Sequence, residues 1–503
     1  MLKKIRRLVA FLFFTLVTLL FLDFTGTIHL WFGWLAKVQL IPAILAINIV
    51  VLVVMIILTL LFGRLYCSVI CPLGIFQDGI SNIAGRKKKN RFRYSSAKSW
   101  LRYGVLGLFI IALIMSVSAI ASLLDPYAAF GRMAANFFSP IYRLGNNLLA
   151  LLAERADSYA FYSTDVWVKG WITFGVAAIT LIAVVILAWR NGRTYCNTIC
   201  PVGTLLGFLS KFSFFRLTFN ADKCTKCKAC ERGCKSSCIN AKSMSIDHSR
   251  CVTCFNCIDK CKFGAMNYAP VKIGKKKTTE VIDKSASEND NGQDGFTRRN
   301  LLTLLGAMAV TSTIKAQQLH VDGGLAEIED KKIPDRKTPI VPAGALSAKN
   351  MKDHCTACQL CVSACPNNVL RPSNKLATFM QPEMSFERGY CRPECTECSQ
   401  VCPTSAIKPI TTADKSATSI GIAAWIKENC VVNRDEVQCN NCERHCPTGA
   451  ITLIDRDAGY SDSLKIPVID KSLCIGCGAC EYQCPARPFS AIYVEGNVRH
   501  HSL

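Results

Sequence analysis

Four long apolar runs set the organisation of the first 220 residues. Each run approaches the roughly 20 residues that an α-helix needs to cross about 30 Å of hydrocarbon. The runs cover about residues 8–22, 39–62, 101–124 and 171–189. The pattern therefore predicts a helical membrane bundle over residues 1–220. In the loop after the third run, an amphipathic stretch from Ile141 to Glu154 is predicted to lie on the membrane surface.

Basic residues beside these runs predict the orientation, because lysine and arginine are enriched in cytoplasmic loops. The N-terminus, the loop after the second run and the exit of the fourth run are basic, whereas loops 23–38 and 125–169 carry few charges for their length. Both ends of the bundle are thus expected in the cytoplasm, at a bacterial inner membrane. The basic residues of the loop after the second run are Arg86, Lys87, Lys88, Lys89, Arg91, Arg93 and Lys98.

The pattern changes after residue 220, where short segments rich in cysteine replace the apolar runs. A polar stretch, predicted to be a flexible linker, leads to Arg298 and Arg299 and a weakly apolar stretch behind them. This arrangement is typical of a twin-arginine export signal retained as an anchor. The apolar stretch is short for a membrane span, so a cytoplasmic surface helix is the alternative. The predicted boundaries are 221–269 for a first ferredoxin, 270–296 for the linker, 297–316 for the signal-anchor, 317–350 for a connector and 351–503 for a second domain.

The 29 cysteines define the chemistry. They occur in tight runs of the form Cys-x-x-Cys-x-x-Cys-x-x-x-Cys, which are typical of 4Fe–4S proteins rather than of disulfide scaffolds or zinc hooks. The formal net charge of +23 does not indicate nucleic-acid binding, because the basic residues gather beside the apolar runs. No nucleotide-binding glycine motif or hydrolase motif is present. The fold class expected is multidomain: a membrane bundle plus two bacterial-ferredoxin-like α+β modules.

The first ferredoxin is predicted to bind two 4Fe–4S clusters. Three cysteines on one loop hold a cluster, and the fourth cysteine of that run reaches the other cluster. This pattern pairs Cys224, Cys227 and Cys230 with Cys261, and Cys251, Cys254 and Cys257 with Cys234. Cys238 stands nearby and is an alternative to Cys234 as the reaching ligand.

The second domain contains four further cysteine groups, which predict four more 4Fe–4S clusters. The second group has one inserted residue, and in the third group Cys430 stands apart, so a lone buried thiol is the alternative there. The 16 ligands predicted are Cys355, Cys358, Cys361, Cys365, Cys391, Cys395, Cys398, Cys402, Cys430, Cys439, Cys442, Cys446, Cys474, Cys477, Cys480 and Cys484. His500 and His501, after the last group, are expected on a solvated tail.

An internal repeat lies in the membrane domain. Gly-Arg-x-Tyr-Cys-x-x-x-Cys-Pro-x-Gly occurs at residues 63–74 and again at 192–203. Duplicated helix pairs would bring four thiols together at one face of the bundle. These cysteines are either two separate pairs or a shared redox centre, since four thiolates are what a cluster needs. They are Cys67, Cys71, Cys196 and Cys200.

These motifs carry a resemblance to a known respiratory family. Residues 1 to about 270 resemble the NapH-type membrane ferredoxin of a quinol-dehydrogenase pair, through the apolar spans, the repeated Cys-x-x-x-Cys-Pro motifs and the two-cluster run. Residues 297–503 resemble its exported NapG-type partner, through the twin arginines and the four cysteine groups. The resemblance implies menaquinol oxidation and transfer to a periplasmic reductase or cytochrome. The second domain also resembles iron–sulfur subunits of molybdenum oxidoreductases, which implies that its first cysteine group exchanges ligands with the fourth, and its second with the third.

The predicted function is a membrane-bound electron carrier with six 4Fe–4S clusters, with quinone as a diffusible substrate. The resemblance implies that it acts as a quinol dehydrogenase subunit. Quinol oxidation is hypothesised near Asp125, Tyr127 and Arg132, which border a predicted span on the side of the second domain. A bilayer of about 30 Å between the modules requires an intermediate, either quinone or a centre on the repeated cysteines. The alternatives are an accessory protein for oxidase assembly and a cytoplasmic ferredoxin hub.

Overall fold

A computed structural model describes residues 2–87, 92–271, 329–457 and 463–503 of the chain. By compactness it divides into two units. The first holds Met1–Val271, Ile333–Ala486 and Ser490–Leu503, and the second holds Lys272–Lys332 with Arg487–Phe489. The predicted signal-anchor over 297–316 lies outside the described residues, as does the predicted linker apart from its first two positions.

Residues 2–209 form a helical region. Its helices, in chain order, are Leu2–Leu22, Thr27–Phe32, Trp34–Lys37, Leu40–Leu45, Ile49–Phe62, Tyr66–Val69, Pro72–Lys87, Ser99–Ile114, Ser118–Leu124, Pro126–Met133, Ser139–Glu154, Trp171–Asn191, Thr194–Thr198 and Pro201–Leu209, with a π-helical turn at Ala134–Phe138. Among the described residues, two helices are long and apolar enough to cross a membrane by length and composition, Leu2–Leu22 and Trp171–Asn191.

The second and third predicted spans are each broken into two helices. Ile47 and Ser116, at the two breaks, have positive φ angles of 52° and 53°. Left-handed backbone cannot continue a right-handed helix, so the Ile49–Phe62 and Ser99–Ile114 helices are shorter than expected. The apolar runs contain no glycine or proline at these points, which is why the sequence pattern does not predict the breaks.

Each copy of the internal repeat forms a helical hairpin. Gly63 ends one long helix with φ 75°, and Gly192 ends another with φ 74°. A β-carbon at Gly192 would lie 2.6 Å from the Lys235 carbonyl oxygen, so both conformation and space require glycine. After each glycine the chain makes a short helix through the first cysteine and starts a second helix at the proline, where proline is favoured.

The first module, residues 215–271, is a small α+β domain. Strand Phe215–Phe219 pairs antiparallel with Met266–Pro270 in the register Leu217↔Tyr268. A second, shorter pair, Ile239–Asn240 with Ser245–Ile246, and the helices Ala229–Arg232 and Asn256–Lys260 complete it. Its core is made largely of cysteine side chains with Leu217, Ile239 and Met266.

The second domain, here called the second array or simply the array, covers residues 333–486 and 490–503. It contains short helices and three antiparallel strand pairs. The helices are Ala348–His354, Leu360–Ala364, Glu397–Val401, Thr412–Ser416, Val431–Arg434, Asn441–Arg444 and Ala479–Gln483. The strand pairs are Leu370–Pro372 with Pro382–Met384, Thr418–Trp425 with Ile492–Ser502, and Ile451–Asp455 with Lys465–Ile469.

Two segments of the array differ from expectation. The predicted connector contributes to its core, because Ile340 and Ala345 are fully buried and Arg336 forms a buried ion pair with Glu481. His500 lies in the last strand rather than on a solvated tail, and both of its ring nitrogens are buried. The folded array therefore begins before residue 351 and includes the C-terminal histidines.

The two modules contact opposite ends of the long helices. At the start of Leu2–Leu22, Lys3 forms an ion pair with Asp259 of the first module. Beyond its other end, a β-carbon on Gly26 would lie 3.3 Å from Glu397 of the second array. The Trp171–Asn191 helix runs the other way. Gly170, before its start, lies near Pro372 of the second array, and Gly192, after its end, lies near Lys235 of the first module. A helix of 21 residues is about 31 Å long.

Candidate metal centres

The repeated motifs bring their four cysteines into one buried site, here called the four-cysteine centre. Cys67, Cys71, Cys196 and Cys200 are each 3% exposed and belong to one packed core. Burial raises the pKa of the Cys200 thiol, and the neighbouring Cys196, Cys71 and Cys67 raise it further. Burial thus favours the protonated Cys200 thiol, and binding a metal group there would release its proton.

Two fully buried arginines join the two hairpins across this centre. Arg64, from the first repeat, donates to the Cys196 carbonyl oxygen of the second at 3.2 Å. Arg193, from the second repeat, donates to the Cys67 carbonyl oxygen of the first at 2.7 Å. Each guanidinium also lies beside a thiol of its own repeat, at 3.9 Å from Cys67 Sγ and 4.0 Å from Cys196 Sγ. These reciprocal hydrogen bonds hold the hairpins together, and the two arginines place two positive charges at the centre.

The last glycine of each motif makes room for these arginines. A β-carbon on Gly74 would lie 2.3 Å from the Cys67 carbonyl oxygen and 2.7 Å from Arg193 Nη1. A β-carbon on Gly203 would lie 2.1 Å from the Cys196 carbonyl oxygen and 2.8 Å from Arg64 Nη2. All four distances are shorter than real β-carbons show, so the two glycines are needed for the hairpins to close.

The residues of the centre fit an anionic iron–sulfur cluster. Four thiols provide the ligands, and Gln77 and the Gly203 amide donate to the sulfurs of Cys196 and Cys200 at 3.2 and 3.3 Å. In the described parts of the chain, no three His, Cys, Asp or Glu side chains are close enough for a single metal ion. A cluster, whose ligands bind at separate irons, requires a wider spacing than one ion does.

The first module presents two cysteine sites. An outer site consists of Cys224, Cys227, Cys230 and Cys261, which line one shallow cavity. At an inner site, burial raises the pKa of Cys257, and its neighbours Cys254, Cys251 and Cys234 raise it further. The structure thus brings together the same two sets of four that the spacing predicts.

Cys238 lies at the inner site as well. Its sulfur is 3.5 Å from Cys234 Sγ, and its side chain is also hydrogen-bonded to that of Cys251. The geometry keeps both Cys234 and Cys238 beside the second loop of the module, so both remain candidates for the fourth ligand. Seven groups of four account for all the cysteines apart from this one.

Loops with the standard cysteine spacing share an unusual backbone. In each, the residues on both sides of the middle cysteine have positive φ angles, as at Lys226 (51°) and Lys228 (59°). Equivalent pairs are Thr253 and Phe255, Ala357 and Gln359, and Gly476 and Gly478. Residues other than glycine rarely adopt this conformation. Its recurrence in four loops indicates that each one is shaped to wrap a cluster.

The second array corrects the predicted exchange of ligands. Burial raises the pKa of Cys361, and so do the nearby cysteines. After Cys358 and Cys355 of its own loop, the next is Cys402 of the second group, which therefore lies close to it. Burial likewise raises the pKa of Cys398, and after Cys391 of its own group the next cysteine to raise it is Cys365 of the first group. Cys430, Cys439 and Cys442 of the third group line one cavity with Cys484 of the fourth. Burial raises the pKa of Cys477 in the fourth group, and Cys446 of the third group is the cysteine that raises it most. Groups adjacent in sequence exchange, so the expectation of first with fourth and second with third is wrong.

This pairing has a simple cause and sets an order. Each pair of adjacent groups folds as a two-cluster module of its own, so the reaching ligand comes from the neighbouring loop. These two halves of the array touch where the Cys391 amide donates to the Cys477 carbonyl oxygen at 2.9 Å. The sites therefore follow one another from Cys355/Cys358/Cys361/Cys402, here the proximal site, to Cys365/Cys391/Cys395/Cys398, then Cys446/Cys474/Cys477/Cys480, and last Cys430/Cys439/Cys442/Cys484.

The proximal site rests on the helical region. A β-carbon on Gly131 would lie 2.4 Å from the Cys358 carbonyl oxygen. Asn136 donates to Gln359 at 3.1 Å, and Arg143 donates to the Ser363 carbonyl oxygen at 3.4 Å. The loop that carries the first cysteine group is thus held by the helices on the side opposite the first module.

Asp125, Tyr127 and Arg132 lie between the four-cysteine centre and the proximal site. All three are at most 1% exposed, and burial raises the pKa of Asp125 to about 6. All three nitrogens of the Arg132 guanidinium are buried without a hydrogen-bond partner in the described chain, as are Asp125 Oδ2 and the Tyr127 hydroxyl. Burial lowers the pKa of Arg132 to about 10, while Asp125, Tyr195 and Cys358 oppose this. The three residues join the two sites instead of lining an open cleft.

On its other side, the four-cysteine centre contacts the first module. Arg64 donates to the Ser249 carbonyl oxygen at 3.0 Å, just before the inner-site loop begins. Asp78 accepts from Arg193 at 2.8 Å and lies 3.4 Å from Lys235 of the first module. Although burial alone would raise the pKa of Asp78, the charges of Arg193 and Lys235 lower it below its usual range. The centre therefore lies between the inner site and the proximal site.

Sequence reasoning identified the cysteines but missed the supporting residues. Arg64, Arg193, Gly74 and Gly203 are all part of the repeated motif, so the repeat itself was the signal that could have identified them. Asp78 has no counterpart in the second copy, where Gly207 occupies the equivalent position, and its role is visible only in the fold.

The arrangement is that of an iron–sulfur electron-transfer protein, and two families of 4Fe–4S domain match the chain twice each. A 4Fe–4S binding domain matches residues 44–91 and 173–220. A 4Fe–4S dicluster domain matches residues 354–406 and 437–487. The first family covers the two hairpins, each with only two cysteines, and the second covers the two modules of the array.

Relatives with ferredoxin-type names support this class. The methylamine utilization ferredoxin-type protein MauM of Methylobacillus flagellatus is 34% identical over 158 residues, which is 29% of this chain and 64% of MauM. The ferredoxin-type protein NapF of Escherichia coli is 29% identical over 147 residues, 29% of this chain and 79% of NapF. YccM of the same species, whose name describes electron transport, is 24% identical over 230 residues, 44% of this chain and 55% of YccM.

The chain spans less than two thirds of the length of MauM and of YccM. No solved structure matches it.

Proposed function

We propose that the protein conducts electrons across a membrane between its two ferredoxin modules, through the four-cysteine centre. The observation that carries the proposal is the position of that centre. Arg64 links it to the loop of the inner site, and the buried group around Arg132 links it to the proximal site. A bound 4Fe–4S cluster accepts and releases one electron at a time. The cysteine groups form a continuous series from one module to the other.

The surface of the helical region supports a membrane location. The Ile49–Phe62 helix exposes a row of large apolar side chains, including Val50 at 73% and Ile49 at 66%. Exposed tryptophans occur at both helix ends, with Trp100 at 79% near the first module and Trp31 at 75% near the second array. Tryptophan is enriched at the two membrane–water interfaces. With the basic N-terminus inside, the first module is cytoplasmic and the array periplasmic.

A periplasmic respiratory reductase system, nitrate-reductase-like, is the acceptor that fits this orientation. Quinol is one donor, and its oxidation close to Asp125, Tyr127 and Arg132 would release electrons beside Cys358.

The test interrupts the relay at its middle. The full-length double variant Cys71→Ser/Cys200→Ser is reconstituted in liposomes beside the wild-type protein, and the first module is reduced chemically from outside. Reduction of the array is followed by electron paramagnetic resonance. The proposal expects the variant to slow the reduction of the array at least 100-fold while the iron of both ferredoxin modules is retained.

The matched control is Val202→Ala, which loosens the packing of the same hairpin and removes no thiol. Its array should be reduced at nearly the wild-type rate. Equal rates in the double variant and the wild-type protein would show that electrons bypass the four-cysteine centre. Quinol as the only reductant, added to both proteins, tests the donor separately, because quinol entering beside Cys358 would still reduce the array in the variant.

A further inference from the structure

We infer that the outer site of the first module docks an acidic, soluble one-electron carrier, of the ferredoxin or flavodoxin kind. The first observation is exposure. Cys227, a ligand of this site, is exposed, and the site opens as a shallow cavity towards solvent. The cysteines of the inner site are buried apart from Cys254, which is half-buried. The outer site is therefore where an electron enters or leaves this module.

The second observation is charge. Three lysines, Lys223, Lys226 and Lys228, line the cavity of the outer site together with its cysteines. The positive φ angles of Lys226 and Lys228 come from the cluster-wrapping loop, so their positions are set by the same backbone that places the ligands. Four more exposed basic residues lie in the same module: Arg232, Lys242, Lys260 and Lys262.

Acidic residues do not balance this surface. The exposed acids of the module are Asp222 and Asp259, and Asp259 is already paired with Lys3 of the helical region. Glu231 is half-buried and accepts from the backbone amides of Ala241 and Tyr94. A positive surface around an exposed redox site attracts acidic partners and raises their association rate.

The partner's chemistry follows from the balance of electrons. The reduced carrier loses one electron and the group bound at the outer site gains it, with no atom transferred. A small acidic carrier brings its own redox centre to the surface, where Phe263, at 53% exposure, adds an apolar contact beside the cavity. Charge complementarity and a close approach of two centres are what such a short-lived complex needs.

The inference rests on the proposed function only in that the first module holds a redox-active cluster. The experiment therefore reads that module alone. The wild-type protein and the triple variant Lys223→Glu/Lys226→Glu/Lys228→Glu are purified in detergent at full length. Reduced plant-type ferredoxin, an acidic protein, and reduced methyl viologen, a cation, are mixed with each in a stopped-flow instrument. Binding of oxidised ferredoxin is measured separately by calorimetry.

The two donors should respond with opposite sign. Ferredoxin should reduce the variant at least tenfold more slowly than the wild-type protein at low ionic strength, and its binding should weaken at least tenfold. Reduced viologen should react with the variant as fast or faster. Adding salt should slow the reaction of the wild-type protein with ferredoxin and leave that of the variant nearly unchanged.

Two controls separate charge from damage. Lys349→Glu/Lys408→Glu/Lys471→Glu reverses three exposed lysines of the second array and should leave both rates as in the wild-type protein. Lys242→Glu changes an exposed lysine of the same module outside its cysteine loops and should show a smaller loss with ferredoxin. Equal slowing of ferredoxin and viologen, or no weakening of ferredoxin binding, would overturn the inference. A failure of the transmembrane relay would leave these results unchanged.

Discussion

Two buried arginine side chains carry positive charge at the four-cysteine centre in the middle of the molecule. Arg64 and Arg193 are fully buried, and each lies close to a thiol and to the backbone of the other repeat. A buried cation normally requires an anionic partner. Asp78 supplies one for Arg193, whereas Arg64 has the neutral Asn197 side chain and carbonyl oxygens. A cluster with four thiolates would supply the missing negative charge.

The first prediction concerns the potential of the four-cysteine centre. Arg64→Gln should lower its reduction potential by on the order of 100 mV, because a cation at about 4 Å stabilises the reduced, more negative form. A potentiometric titration followed by electron paramagnetic resonance measures the change. Arg64→Lys keeps the charge and should restore most of the potential.

Arg102→Gln is the comparison for this prediction. Arg102 is also buried, but within the described chain its hydrogen bonds go to Ser249 rather than to a thiol. Its removal should shift the potential by much less. A potential that rises in Arg64→Gln, or shifts equally in both variants, would contradict the account.

The second prediction concerns the extra cysteine. Cys234→Ser should remove the inner cluster of the first module, while Cys238→Ser should keep it, because Cys234 has the standard spacing. Iron analysis and spectroscopy of the reduced protein measure the loss, which is about four iron atoms per chain if the whole cluster leaves. The opposite result would assign Cys238 as the ligand.

At the scale of elements, the molecule shows which sequence signals predict structure and which do not. The cluster loops were predictable because the cluster fixes the spacing of their ligands, and the duplicated hairpins were predictable from the repeat. The breaks at Ile47 and Ser116 were not, because no glycine or proline marks them within the apolar runs. The exchange partners in the array depend on which loops fold next to one another, which spacing alone does not determine.

The third prediction tests the close packing of the hairpins. Gly203→Ala should lower the iron content of the four-cysteine centre and the melting temperature, because the new β-carbon would meet the Cys196 carbonyl oxygen and Arg64. Overpacking of this kind costs typically 1–3 kcal/mol. Differential scanning calorimetry and iron analysis of the purified chain measure both effects.

Gly79→Ala is the matched control in the other hairpin. Gly79 lies in the Pro72–Lys87 helix, and a β-carbon there would meet nothing within 4 Å. Alanine is favoured over glycine in helices by up to about 1 kcal/mol. This variant should be as stable as the wild-type protein or slightly more so. A destabilised Gly79→Ala, or an unaffected Gly203→Ala, would show that the packing argument is wrong.

The fourth prediction concerns the last strand. Burial lowers the pKa of His500 to about 4, with a smaller contribution from His501. The folded chain therefore resists protonation that the unfolded chain accepts. His500 contributes its full stability above pH 6.5 and loses it as the pH falls from 6.5 towards 4. Between pH 7 and pH 5 the loss should be about 1–2 kcal/mol.

The measurement is the melting temperature of the wild-type protein and of His500→Gln across this range. Glutamine does not titrate, so the variant should lose less stability on acidification. His501→Gln, at an exposed position beside it, is the control and should follow the wild-type protein. Parallel curves for all three proteins would remove His500 as the cause.

For the whole molecule, the order of the sites has a consequence for orientation. The first module contacts one end of the long helices and the proximal site of the array rests on the other end. If these helices cross a membrane, the two modules face opposite compartments, and electrons can travel across without a mobile carrier. The sequence alone predicted both modules but left the gap between them open, because the repeated cysteines could be separate pairs.

The last prediction tests this orientation directly. A protease recognition site is inserted in an exposed turn of the first module, after Ser243, or in an exposed loop of the array, after Glu436. In sealed inside-out vesicles of a bacterial inner membrane, added protease should cut the first insertion and leave the second intact. Right-side-out spheroplasts should give the reverse, and detergent should make both sites accessible. Cleavage of both insertions from the same side would place the modules in one compartment. In that case the four-cysteine centre would connect two modules on one face, and the protein would be a hub rather than a conductor across the membrane.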